Sequence, residues 1–212
     1  KSHSSHLTKL PIFGWFISKN DELSRGRKLI YASVELIIPA ATFTIACYMG
    51  LSLNTLYVII LMWLMVALFY IDLEHMLLPD LITKPLLAIT FVLSAIGIGI
   101  PLPESIIGAV FGYGFLFSIM MAYKAYSGRD GMGYGDLKLL AIFGAILGLK
   151  GVTVVIMLSV MLGAAVSLPL MLKKSNRKNL EVPFGPPIII SGLACIIFEN
   201  SLLQYFVSLL FR

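Results

Sequence analysis

Charge and cysteine are the two things this sequence has little of. Only 13% of its 212 residues are charged and only two, Cys47 and Cys195, are cysteine. A soluble domain carries roughly twice that share of charge, so the deficit argues against a water-exposed globular surface. Both cysteines lie within apolar runs, and neither has a second thiol at metal or redox spacing, which excludes a disulfide framework and reads as two small buried hydrophobes. Clustered basic and aromatic residues are also missing, and nucleic acid is set aside. The stretch Lys1 to Lys28 is basic but has no apolar core of the signal-peptide kind, and no Met opens the sequence, so a longer parent chain is expected.

What is present is hydrocarbon. At 58% hydrophobic residues and a mean hydropathy of +0.93, the chain reads as an integral membrane protein. Runs long enough to approach the ~30 Å of a bilayer core fall near 29–50, 54–71, 81–100, 105–123, 137–149, 151–172 and 186–198. The fold class expected is therefore all-α: a polytopic transmembrane helical bundle of about seven spans. The run 137–149 is short, and Gly148, Lys150 and Gly151 separate it from the next. Residues 1–28 form an N-terminal segment, with Leu10 to Phe16 too short to span, and 29–212 form the membrane domain. Placing the N-terminus in the cytoplasm puts every Lys and Arg inside except Lys150 and Arg212, as the positive-inside rule requires. The net charge of +5 is then mainly a topological signal, with some attraction to anionic lipid. Small residues mark faces for close helix packing: Gly108 with Gly112, Gly144 with Gly148, and Gly163 with Ala164 and Ala165.

The polar chemistry lies in two segments. The first, Phe69 to Asp80, reads FYIDLEHMLLPD; Asp72 closes an apolar run, and Asp80 follows Pro79 where a side-chain oxygen caps the next helix. Glu74 and His75 are read as solvated loop residues. The second, Ser127 to Leu140, reads SGRDGMGYGDLKLL. Gly131, Gly133 and Gly135 give it access to positive φ and remove side-chain bulk, so that a substrate strand can approach Asp136; the plainer alternative is a loop with Asp136 as helix N-cap. A charged side chain at mid-bilayer costs roughly 2.5–3.5 kcal/mol even on lenient insertion scales, so two acids brought to one depth by different helices point to chemistry. Amide hydrolysis needs water activated and a proton delivered, and two carboxylates holding one proton between them do both. Glu35, about two turns into the first run, is by the same logic either functional or paired with Lys28. Lys138 either tunes Asp136 or snorkels to the interface.

These residues resemble the type IV prepilin leader peptidases, of the GxGD class of membrane aspartyl proteases alongside presenilin. The resemblance rests on IDLEHMLLPD, GMGYGDLKLLA, the VEL around Glu35 and the PFGP of Pro183 to Pro186, and covers nearly all of the chain. It implies that Asp72 and Asp136 are the catalytic pair, a choice of Asp72 over Asp80 that the residues alone leave open. Gly133, Gly135, Lys138, Glu35 and Asp80 are the expected substrate-binding or supporting residues, with Lys138 matching the GDxK lysine. The implied substrates are prepilins or pseudopilins, cut between a basic leader and an apolar helix at the cytoplasmic face of a bacterial inner membrane. The resemblance also implies N-methylation from S-adenosylmethionine. Many members carry paired CxxC motifs near the N-terminus; here the first would fall on Ser2 and Ser5 and the second has no match, so no four-thiolate zinc site is available. His3 and His6 do not replace it, and no metal is expected. The rival from another class is a proton- or ion-coupled transporter, whose acids would sit near the midplane on broken helices in paired repeats. No repeat relates the two halves here. The sequence assigns no oligomeric state and no role to Glu199.

Overall fold

The computed structural model describes residues 38–47, 50–128, 133–173 and 184–197. Among them the secondary structure is entirely helical: α1 (Ile38–Cys47), α2 (Leu53–His75), α3 (Asp80–Ala95), α4 (Leu102–Ser127), α5 (Tyr134–Lys173) and α6 (Gly185–Ile197). Three stretches are long and apolar enough to cross a bilayer, Leu53–His75, Leu102–Ser127 and Tyr134–Leu168. The expected span at 29–50 is described only from Ile38 onward. Glu35, the N-terminal segment and Glu199 lie outside the described residues.

The chain divides into two compact units, Lys1–Thr55 and Leu56–Arg212. In the first, Thr42 and Thr44 return their hydroxyls to the carbonyls of Ile38 and Ala40, at 2.7 and 2.8 Å, the usual way for threonine to satisfy itself within an apolar helix. Ser52 accepts the Thr55 amide at 3.1 Å and so caps the start of α2.

The second unit is organised around α5. A straight helix of that length would overreach the bilayer, and Gly148 breaks it with φ 69° and ψ −173°, a conformation that essentially only glycine adopts. The two arms fold back on each other. A Cβ placed on Gly112 would touch both the Leu140 carbonyl and the Val152 side chain, two groups that a continuous helix would hold roughly 18 Å apart. The separate runs 137–149 and 151–172 read from the sequence are thus the two arms of one hairpin.

Helix α4 lies against both arms, and glycine is what lets it. A Cβ on Gly108 would strike the Gly144 carbonyl, and one on Gly144 would strike the Gly108 carbonyl, so the two backbones are in contact. Nearby, the Ser105 hydroxyl donates to the Ala145 carbonyl at 2.7 Å. The first two small-residue faces noticed in the sequence are therefore each other's partners, whereas Gly114 meets nothing and belongs to neither. Helix α6 is buried along most of its length; its Gly192 accommodates the fully buried Phe143 ring of the first α5 arm, and Phe184, just before it, lies on Gly163 of the second. Tyr57 of α2 donates to Thr90 of α3 at 3.4 Å. By contrast, Phe111 with Phe115 and Tyr113 with Phe117 stack on exposed parts of α4, an aromatic surface suited to lipid.

Candidate active site

Asp72 occupies the last turn of α2, and Asp136 the first turn of α5. Both are buried, with 5% and 8% of their surface exposed, in a protein whose other described carboxylates are solvated. Asp136 lies near enough to Asp72 to feel its charge. Apolar neighbours explain the burial of Asp136, since Leu137, Leu139 and Leu140 are wholly enclosed in the core. Asp136 is not an N-cap: Gly133 precedes the helix, its carbonyl accepting the Asp136 amide at 3.3 Å, and the carboxylate is left for other work.

The two motifs meet through their flanks. Met76, at φ 51°, turns the chain out of α2, its amide bonded to the Asp72 carbonyl at 2.8 Å. Two residues on, Leu78 fills the space that a side chain on Gly135 would need. Gly135 therefore serves close packing between the two acid-bearing segments, where the sequence suggested room for substrate. Neither Gly133 nor Gly135 uses positive φ. Gly133 is uncrowded and exposed, the open one of the two described glycines, and Gly131 lies outside the described residues.

Asp80 also departs from expectation. Pro79 holds the cap position of α3, and no side chain caps it; Asp80 is the first helical residue. Its carboxylate instead accepts from Lys138 of α5 through Oδ1 and from Lys84, one turn along α3, at 2.7 Å through Oδ2. The Lys138 hydrogen bond first, then that of Lys84, holds the Asp80 carboxyl below the usual carboxylate range. A depressed native pKa means that whatever the pair contributes is present above the unfolded carboxylate value of about 3.9 and disappears as pH falls through the native one. The difference in melting temperature between the parent protein and Asp80→Asn should accordingly be constant from pH 7 to pH 5 and shrink below about pH 4. Because the pair is exposed, its contribution to stability should be modest, and as members of one pair Asp80→Asn and Lys138→Ala should lower the melting temperature by similar amounts, with the double variant no lower.

One participant entered the sequence reading only as part of the PFGP motif, with no role assigned to it. Gly185, the first residue of α6, presents its amide to the Asp72 carboxylate, and a Cβ there would collide with Asp72 Oδ2. Oδ2 is itself buried and has no hydrogen-bond partner. The resemblance had marked the PFGP motif around it, and the contact with Asp72 is what the sequence could not show.

Comparison with known proteins fits this arrangement. The model of the type IV leader peptidase family matches residues 59–168. A "Prepilin leader peptidase/N-methyltransferase" of Aeromonas salmonicida is 35% identical over 206 residues, which is 95% of this chain and 70% of that protein. The chain belongs to the type IV leader peptidase family. Proteins of the same name from Aeromonas hydrophila and Pseudomonas aeruginosa are 36% and 32% identical over 84% and 81% of the chain, which spans 61% and 59% of their lengths. No solved structure matches. As a leader peptidase the chain is a protease, and the matched region runs from α2 into the second arm of α5, taking in Asp72, Asp80, Asp136 and Lys138. Gly185 lies beyond it.

Proposed function

We infer that this protein is a membrane-embedded aspartyl endopeptidase that removes the basic leader from type IV prepilins or prepilin-like pseudopilins. Asp72 and Asp136 are its catalytic pair. The observation that carries the reading is two buried carboxylates, from different helices, interacting at one end of the bundle. One accepts a proton from water as that water attacks the scissile carbonyl, while the other, protonated, donates to the carbonyl oxygen and then to the departing nitrogen. The distribution of Lys and Arg favours placing this end of the bundle at the cytoplasmic face of a bacterial inner membrane, with about seven spans in all. A substrate whose leader is basic and whose next segment is an apolar helix delivers its junction to that depth.

N-methylation of the new N-terminus, using S-adenosylmethionine, rests on the second half of the relatives' names. The deciding experiment incubates the purified protein with a prepilin, with and without S-adenosylmethionine, and weighs the products. Loss of the leader mass is expected, and a further methyl mass would add the second activity. An intact prepilin in both samples would refute the peptidase reading.

A further inference from the structure

A glycine at the start of α6 carries more than a turn. The first amides of a helix lack intrahelical partners, and in α6 the sequence Gly-Pro-Pro disposes of nearly all of them. Pro186 and Pro187 have no N–H, and the Ile188 amide is bonded to the Phe184 carbonyl at 3.4 Å. The Gly185 N–H faces the Asp72 carboxylate. The Asp72 Oδ2, buried and unpartnered, rests against the Gly185 Cα where any side chain would stand. The end of α6 is fixed in turn, because Gly192 clasps the Phe143 ring and Phe184 lies on Gly163.

The geometry points to Gly185 as a positioning residue for Asp72, its bare Cα and its amide setting where the carboxylate stands in the pair. This rests on the peptidase reading above and extends it to a helix outside both acid motifs. Prolines at the next two positions keep competing donors away from the carboxylate and fix the backbone that aims the Gly185 amide. A methyl group at 185 would push Asp72 off its position, a displacement of the size that costs turnover more than binding.

Two measurements test it on the full chain. In prepilin cleavage, Gly185→Ala should lower kcat about tenfold or more with KM within about twofold. Gly108→Ala, which crowds the contact between α4 and α5 instead, serves as the structural comparator: it should lower the melting temperature at least as much while keeping most of its kcat. Placement is tested without activity. A Cβ on Gly185 would lie 3.5 Å from that of Asp72, within the ~3.5–4.5 Å range of a disulfide. With Cys47 and Cys195 replaced by alanine, Asp72→Cys/Gly185→Cys should form an intramolecular disulfide under mild oxidation, read by mass and by protection from maleimide. Failure of that bond to form overturns the placement, whether or not Gly185→Ala accumulates. An active parent enzyme whose Gly185→Ala variant keeps its kcat overturns the positioning role alone. A parent protein that leaves prepilin intact overturns the peptidase reading instead.

Discussion

Replacing either buried acid by its amide should reduce leader cleavage by about a thousandfold or more, to background, while the protein still inserts and melts as a folded bundle. Asp72→Asn and Asp136→Asn preserve shape and remove the capacity to pass a proton, so a structural role for the carboxylates predicts little loss. The opposite side effect is also informative. Two acids held together in an apolar setting oppose folding, and removing one should leave the melting temperature unchanged or raise it. Because the two groups act as a unit, the double variant should be no slower than either single one. Prepilin cleavage measured beside thermal melting checks all three statements, and substantial turnover in either single variant would end the case for the pair.

The second large effect is expected at the contact between α4 and α5. Gly108→Val or Gly144→Val must drive a branched side chain into a backbone carbonyl of the other helix, and neither carbonyl can yield without separating the helices. Overpacking costs typically 1–3 kcal/mol where neighbours are flexible side chains; with backbone on the other side, the loss should reach or exceed about 3 kcal/mol. Since the two residues touch each other, the double variant should cost much less than the sum. Gly114→Val, on the same helix but facing open space, is the control and should be close to neutral. Melting temperature in detergent and yield of inserted protein measure the effect. A Gly144→Val protein as stable as its parent would exclude the close contact.

Legibility in the sequence followed the range of the interaction. The helical class and the break at Gly148 were readable because hydropathy and glycine act locally. The small-residue faces were readable as faces, though spacing along a chain cannot say which face meets which. Asp136 stood out through its own motif, whereas preferring Asp72 to Asp80 needed the family resemblance. The uses of individual residues were harder to see. Asp80 looked like a cap because it follows a proline, yet a lysine from another helix claims its carboxylate. Gly135 looked like an opening for substrate because glycine permits either positive φ or close approach, and only tertiary contact with Leu78 reveals which one is in use. Gly185 was visible only as a member of the PFGP motif, and its use was hidden for the same reason, its partner lying far back in the chain at Asp72.

The hairpin in α5 bears on how water reaches a bond buried in lipid. The arm from Tyr134 to Leu147 rises only about 20 Å, against a hydrocarbon thickness near 30 Å. With its bend at the far headgroups, this arm would end short of the near ones, and its carboxylate would sit at the bottom of a dimple for hydration or locally thinned lipid to fill. Bilayer thickness thereby becomes a control on catalysis: short-chain lipids should speed the enzyme and long-chain lipids slow it, with no residue changed.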